Sequence, residues 1–207
     1  MPELVLVHGL AGSPRWWKPL LPWLRDYDVR YVDPRDELTA APDDVLVGHS
    51  LGGLRAAQFA ASHRVRKLVL VAPVGLERGA PWRVVGSTSL AFTPSVALDA
   101  LRWGRRSLLR SALEAMTTRI DPSGIDTPTL IVWGERDPLV PVRLATEWHK
   151  VVPGSRLEIV PRAKHVPMVE NPSAFAEVLL DFLRHDAGSG EVDGVRLAGD
   201  GDEPAGG

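Results

Sequence analysis

Length, composition and charge already exclude several classes of protein. The chain has 207 residues, enough for one domain with a sizeable core but too few for a comfortable second one. Apolar residues make up 44% and charged residues 24%, which argues against a wholly disordered or fibrous chain. A net charge of −2 offers no basic surface for nucleic acid, and the absence of cysteine excludes disulfides, thiolate metal ligands and a cysteine nucleophile.

Short runs of Val, Leu and Ile predict the strands of a buried sheet. Continuous apolar runs are typical of parallel strands that are covered on both faces. The strong runs are 4–7, 45–47, 68–71 and 130–133, with weaker ones at 29–32 and 157–160. Helical patterns alternate with them at 15–25, 51–62, 95–117, 142–151 and 173–184. This alternation predicts an α/β protein with a doubly wound, mostly parallel sheet of about six strands.

Two segments interrupt this alternation. Residues 74–126 separate two predicted strands and contain a helical stretch, which predicts a short helical cap inserted over one edge of the sheet. Residues 187–207 are rich in glycine and carry five acidic residues against one arginine. We predict that this tail is disordered, because it has too little apolar surface to offset the entropy of ordering it. Residues 1–186 should then form a single domain.

The amino terminus runs directly into a predicted strand and lacks the features of a signal peptide. The longest stretch free of polar residues, 68–76, is far shorter than the roughly 20 residues of a membrane helix. We therefore expect a cytoplasmic protein that acts on a small molecule, with no nucleic-acid or membrane partner.

The segment with the most chemical information is V-L-V-G-H-S-L-G-G at 45–53. It places the pattern G-x-S-x-G at the point where a predicted strand turns into a predicted helix. A serine at such a turn projects from the sheet edge, and Gly48 and Gly52 are small because neighbouring chain passes close by. The positive end of the helix points to the same place. This context predicts Ser50 as a nucleophile.

A serine nucleophile needs a base within hydrogen-bond distance and a third group that orients the base. His165 follows the last strand of the predicted domain, at the sheet edge where α/β proteins build their sites. His63, His149 and His185 lie on or beside helices among charged residues, so we expect them to be solvated.

The third group is expected after another strand, in the loop that follows 129–133. Asp137 is preferred there because it lies deeper in the loop and precedes a proline that fixes the turn. Glu135 is a weaker candidate for the orienting acid, because it could form a surface ion pair with its neighbour Arg136. Glu77 is the third candidate for this acid.

Two backbone amides are candidates to stabilise an oxyanion. The amide of Leu51 directly follows the predicted nucleophile, and the amide of Leu10 lies in the glycine-rich loop 8–12 after the first strand. His8 in the same loop is expected to brace the loop rather than to transfer protons.

The motifs at 8–9, 48–53, 134–137 and 165–172 together resemble the α/β-hydrolase superfamily, in its serine carboxylesterase and lipase-like branch. The resemblance covers about residues 3–185, with the chain order Ser, Asp, His. Only about ten residues separate Asp33 from Asp44, where relatives usually carry a whole helix. The chain is therefore a minimal member, and whether it is a monomer or a homodimer stays open.

The resemblance implies a role for each matching residue. Ser50 would be the nucleophile, His165 the general base and acid, and Asp137 the group that orients His165. The amides of Leu10 and Leu51 would form the oxyanion hole. No metal or organic cofactor is implied.

The cap is expected to select the substrate. Trp82 and Trp103 are candidate walls of the substrate pocket, and a stripe of arginines at 102, 106 and 110 is either a solvated face or a site for an anionic substrate. Apolar residues at helical spacing are expected to pack the cap on the body rather than to form a ligand groove: Leu98, Leu101, Leu108, Leu109, Leu113 and Met116.

The predicted function is hydrolysis of small or medium carboxylic esters through an acyl-enzyme. Two alternatives remain open on the sequence. One is a carbon–carbon lyase that uses the same three residues on an anionic substrate, as in the menaquinone-pathway elimination enzyme. The other is a ligand receptor that keeps the fold without turnover.

Overall fold

The computed structural model describes residues 2–77, 94–185 and 195–197, the last of these and 94–97 by their backbone alone. Within these residues seven strands form one sheet in which all neighbours are parallel. They are β1 (Glu3–Val7), β2 (Asp28–Val32), β3 (Val45–His49), β4 (Lys67–Val71), β5 (Thr129–Gly134), β6 (Arg156–Val160) and β7 (Val195–Leu197). The order across the sheet is β2-β1-β3-β4-β5-β6-β7. The predicted α/β fold with a parallel sheet is confirmed.

Six α-helices are described. They are α1 (Leu51–Ala60), α2 (Pro94–Trp103), α3 (Arg105–Thr117), α4 (Arg143–Val151), α5 (Pro167–Glu170) and α6 (Pro172–Arg184). Two 3-10 helices, Pro14–Leu20 and Pro122–Gly124, complete the set. No helix in the described parts of the chain combines the length and the apolar composition needed to cross a membrane.

The sheet is covered on both faces. Leu4 and Leu6 of β1 pack with Trp17 and with Phe175 of α6 on one face. Val5 and Val7 of the same strand pack on the other face, with residues of α1 and α4. Successive side chains of a strand point to opposite faces, so a strand that is buried on both faces must be apolar throughout. This is the physical reason for the continuous apolar runs.

Two predicted helices differ in the structure. The segment expected as one long helix over 95–117 is broken at Gly104, whose φ of 73° lies in the left-handed region that a helix cannot use. The segment expected as a helix over 15–25 forms only the 3-10 helix Pro14–Leu20. Pro19 lies inside that stretch and lacks the backbone N–H that a regular α-helix requires.

The connection 33–44 replaces a helix between β2 and β3. Leu38 and Ala40 pack against the apolar cluster under the sheet. The carboxylate of Asp44 accepts hydrogen bonds from the backbone N–H groups of Glu3 and Ala41, at 3.0 Å and 2.7 Å. This short connection therefore covers part of the sheet without a helix.

Part of the tail predicted to be disordered is ordered in the structure. Residues 195–197 form β7, which pairs with β6 at the edge of the sheet. Pairing satisfies backbone groups at an open strand edge, which composition alone does not reveal. The rest of that tail and the cap segment 78–93, with Trp82, lie outside the described residues.

Candidate active site

The candidate site lies where parallel strands end. The loops after β3, β5 and β6 carry Ser50, Asp137 and His165, and the carboxyl ends of these strands share one edge of the sheet. Although the three residues are far apart in sequence, the parallel topology brings their side chains together.

Ser50 occupies a sharp turn between β3 and α1. Its φ of 54° and ψ of −113° are rare for any residue with a side chain, so the backbone is strained there. The turn is held because the N–H of Ser50 donates to the carbonyl of Val71 at 2.9 Å, and its own carbonyl accepts from the N–H of Leu54 at 3.0 Å. These bonds hold the hydroxyl at the sheet edge.

The glycines of this turn are required by close packing. A Cβ at Gly48 would collide with the backbone of Gly52, and a Cβ at Gly52 would collide with the carbonyl oxygens of Val7 and His8. The G-x-S-x-G spacing therefore reflects the approach of α1 to β1, as the sequence predicts.

The three predicted side chains form one hydrogen-bonded chain. The Oγ of Ser50 lies 3.1 Å from Nε2 of His165, and Nδ1 of His165 lies 2.7 Å from Oδ2 of Asp137. Because a carboxylate only accepts hydrogen bonds, Nδ1 carries a proton and Nε2 of the neutral ring is free to accept the serine proton. All three residues are buried, at 9% exposure or less.

Asp137 is held by its own loop. Its second oxygen, Oδ1, accepts from the N–H groups of Leu139 and Val140, at 2.8 Å and 2.9 Å. The two alternative acids face elsewhere: Glu135 accepts from the N–H of Arg162, and Glu77 pairs with Arg143. Of the three acids weighed on the sequence, the structure therefore brings Asp137 to His165.

The loop that carries His165 is tightly packed. A Cβ at Gly134 would collide with the carbonyl oxygen of Lys164, so only glycine fits at the end of β5. The carboxylate of Glu170 accepts from the N–H groups of Lys164 and Val166, at 2.7 Å and 3.2 Å. These contacts fix the main chain on both sides of His165.

The two predicted oxyanion donors are the backbone amides of Leu51, directly after Ser50, and of Leu10, directly after Gly9, where an added Cβ would lie 3.0 Å from Cβ of Ser50. Within the described residues, no acceptor is bonded to the N–H of Leu10 or of Leu51. The loop that carries Leu10 has a left-handed residue, Ala11, with a φ of 56°. His8 is 2% exposed and lies next to the carbonyl of Gly9, with its Nδ1 at 3.0 Å. Burial lowers the pKa of His8 below its usual value, which fits its expected bracing role.

Trp103 joins the cap to the loop after β1. Its indole N–H donates to the carbonyl of Gly12 at 2.9 Å, and the residue is only 5% exposed. Asp99, one turn earlier on α2, accepts from the hydroxyl of Ser13 at 2.7 Å and is 1% exposed. The structure thus gives Trp103 a contact that holds the cap, while its part in binding substrate stays a prediction. Asp99 carried no sequence signal, because its partner is 86 residues away.

The leucines of the cap agree only in part with the prediction. Leu108 packs against the buried cluster that contains Leu51 and Leu54 of α1. Four others are 42–77% exposed instead of packing on the body: Leu98, Leu101, Leu109 and Leu113. Sequence spacing alone does not reveal which face of each cap helix meets the body.

His49, the residue before Ser50, was also missed on the sequence. It is fully buried, and its Nε2 lies 2.7 Å from the carbonyl oxygen of His165. The signal that could have found it is its place inside the G-x-S-x-G pattern. No cluster of three or more His, Asp or Glu residues that could hold a metal ion occurs in the part of the chain that the structure describes.

Comparisons with known proteins agree with this architecture. The model of the family described as "Alpha/beta hydrolase family" matches residues 18–178. A pimeloyl-[acyl-carrier protein] methyl ester esterase of Neisseria meningitidis serogroup B is 32% identical, over 88% of this chain and 95% of the relative. That match extends over 246 positions, so the relative carries segments inside it that this 207-residue chain lacks.

Solved structures share the fold. A putative lipase from Acinetobacter baumannii has a TM-score of 0.72 at 22% identity, over 88% of this chain and 83% of that one. A carboxylesterase from Bacillus subtilis has a TM-score of 0.63 at 21% identity, over 88% and 83%. The resemblance inferred from the sequence motifs is confirmed, and the chain belongs to the alpha/beta hydrolase family.

Proposed function

We propose that this protein is a serine esterase that hydrolyses small or medium carboxylic esters through an acyl-enzyme. The observation that carries the proposal is the hydrogen-bonded chain from Ser50 through His165 to Asp137. Relatives named as methyl ester esterases support ester hydrolysis as the reaction class.

In the first step, Oγ of Ser50 attacks the ester carbonyl while Nε2 of His165 accepts the hydroxyl proton. Asp137 stabilises the imidazolium that forms, because its carboxylate accepts the Nδ1–H bond. The carbonyl oxygen becomes an oxyanion, which the amides of Leu10 and Leu51 would stabilise. His165 then gives its proton to the departing alcohol, and an acyl group remains on Ser50.

In the second step, water takes the place of the alcohol. His165 accepts a proton from water while the water oxygen attacks the acyl carbonyl. His165 then returns the proton to Oγ of Ser50 as the bond between Oγ and the acyl carbon breaks, so the carboxylic acid leaves and Ser50 is restored. Since α1 begins at Leu51, directly after Ser50, its positive end would favour negative charge that develops next to Oγ of Ser50. The cycle needs no group beyond the protein and water.

The substrate is proposed only as a class. The named activity of the relatives makes methyl esters of carboxylic acids the first compounds to test. The lyase alternative requires side chains that bind an anionic substrate. Arg55 of α1 pairs with Glu114 at 2.8 Å, so this alternative depends on the arginines of the cap. The protein is expected to act as a monomer or homodimer without a cofactor.

The test is pre-steady-state hydrolysis of p-nitrophenyl esters of increasing chain length. An acyl-enzyme predicts a burst of nitrophenol equal to the enzyme concentration and a mass increase of one acyl group. Ser50→Ala should lower kcat at least about 1,000-fold. Turnover without an acyl adduct would contradict the acyl-enzyme. A folded protein that hydrolyses none of the esters would favour the lyase alternative, and ligand-induced thermal stabilisation without turnover would favour a receptor.

A separate experiment tests whether the cap arginines favour anionic substrates. Arg102 pairs with Asp99, while Arg106 and Arg110 have no ion pair among the described residues. If the arginine stripe attracts anionic substrates, Arg102→Ala and Arg106→Ala should lower kcat/KM a few-fold for esters that carry a carboxylate and leave neutral esters unaffected. Unchanged kcat/KM for the anionic esters would reject this role.

A further inference from the structure

His49 lies at the junction of three parts of the candidate site. It is the last residue of β3 and directly precedes Ser50. Its imidazole ring lies 4.8 Å from that of His165, measured between centroids. A Cβ at Gly9 would lie 2.8 Å from Nδ1 of His49, so the glycine-rich loop after β1 packs against the ring. One side chain therefore contacts the serine turn, the base and the predicted oxyanion loop.

The hydrogen bond of His49 defines its tautomer. Nε2 lies 2.7 Å from the carbonyl oxygen of His165, and a carbonyl oxygen only accepts. Nε2 must therefore carry the proton. Nδ1 has no hydrogen-bond partner among the described residues, and a second proton there would be a buried donor without an acceptor. The surroundings thus favour the neutral ring with its proton on Nε2.

Electrostatics favour the same state. Burial, with a further contribution from the nearby His165, holds the pKa of His49 well below its usual value. During the proposed reaction His165 becomes positively charged, and a charged ring 4.8 Å away would oppose that charge. A neutral His49 can donate its hydrogen bond without this repulsion.

The contact also completes the support of the base. Glu170 holds the N–H groups on either side of His165, and His49 holds the carbonyl of His165 itself. The imidazole of His165 must stay within hydrogen-bond distance of Ser50 during proton transfer, and a displacement of about 1 Å can lower a rate about 100-fold.

We infer that His49 is a positioning residue, which donates its Nε2–H to the carbonyl of His165 and so fixes the backbone from which the base reaches Ser50. This inference rests on the proposed function, because it concerns the base that deprotonates the nucleophile.

The test compares two substitutions at one position. His49→Gln keeps an N–H donor the same number of bonds from the backbone, whereas His49→Met has similar length and no donor. Readouts are kcat and KM for a p-nitrophenyl ester, the second-order rate constant for fluorophosphonate labelling of Ser50, and Tm. His63→Met is the matched control, since His63 is exposed and packs on Phe59 of α1.

His49→Met should lower kcat and the labelling rate about 10- to 100-fold, with KM changed by less than about threefold. His49→Gln should recover both rates to within about threefold of the wild type, and His63→Met should match the wild type. If the role of His49 is purely structural, the Met variant should have a lower Tm, kcat should not fall selectively relative to KM, and Gln should not restore the rates. A folded Met variant with wild-type labelling, or a Gln variant as slow as Met, would overturn the inference.

A spectroscopic measurement on the unmodified protein separates this inference from the proposed function. Nitrogen-15 spectra of the imidazoles should show His49 as the neutral Nε2–H form with a slowly exchanging proton. A neutral Nδ1–H form or a rapidly exchanging proton would overturn the inference even if Ser50 is an active nucleophile. If Ser50 fails to react with fluorophosphonate while His49 shows the expected form, the proposed function fails and the hydrogen bond stands.

Discussion

The carboxyl edge of the sheet and the cap differ in how their side chains are buried and paired. At the sheet edge, Ser50, Asp137 and His165 are buried and hydrogen-bonded to one another. On the cap, Leu101 and Leu109 are 77% and 62% exposed, and the nearby arginines of α3 lack ion pairs within the described residues. The sheet edge is therefore set by its own packing, whereas the outer cap surface contributes little to holding the fold.

Asp137→Asn leaves Ser50 in place and should still slow ester hydrolysis strongly. An amide can donate to Nδ1 of His165 and so favour the tautomer that cannot accept the proton of Ser50. We expect kcat for ester hydrolysis to fall about 100- to 10,000-fold. Glu77→Gln, a change of an exposed carboxylate paired with Arg143, is the control and should leave kcat unchanged. Near-normal turnover by Asp137→Asn would mean that another acid orients the base.

Gly134→Ala tests how tightly the edge is packed. The added methyl group would overlap the carbonyl oxygen of Lys164, so the loop that carries His165 must move. We expect unfolding free energy to fall by about 1–3 kcal/mol, with a loss of kcat. At Gly124 a Cβ would lie 3.3 Å from the nearest atom, so Gly124→Ala should cost less. Equal denaturation midpoints for the two variants would contradict the packing argument.

Acid should destabilise the protein through its buried histidines. Burial lowers the pKa of His49, with His165 and His8 as charged neighbours when protonated, so the unfolded chain binds a proton near pH 6.5 that the folded chain does not. The free energy of unfolding should then fall as pH drops below 6.5, by up to about 1.4 kcal/mol per pH unit for this group. Denaturant titrations at pH 7 and 5 measure the slope. If His49→Gln keeps the full slope, another group is responsible.

Substitutions on the outer surface of the cap should change the free energy of unfolding least. Leu101→Ser and Leu109→Ser replace exposed side chains and should change the free energy of unfolding by less than about 0.5 kcal/mol. Leu54→Ala, at a fully buried position of α1, should cost about 2–5 kcal/mol by the same denaturant measurement. A large loss from either serine variant would show that the outer cap surface is packed after all.

The same contrast explains what could be predicted from the sequence. The strands and the strand-to-helix turn at Ser50 could be predicted because their signals are local: apolar runs, and glycines around the turn. The sequence does not show which cap leucines are buried, because the buried face of α2 and α3 is determined by how these helices pack on the rest of the fold. The contacts of Asp99 and His49 span 86 and 116 residues, which no local pattern encodes.

Labelling with a fluorophosphonate, followed by intact mass and peptide mapping with Ser50→Ala alongside, shows whether Ser50 is an activated nucleophile. An activated serine predicts one adduct per chain, located on Ser50 and absent from the variant. An unlabelled folded protein, or an adduct that persists in Ser50→Ala, would contradict the account of Ser50 as the nucleophile.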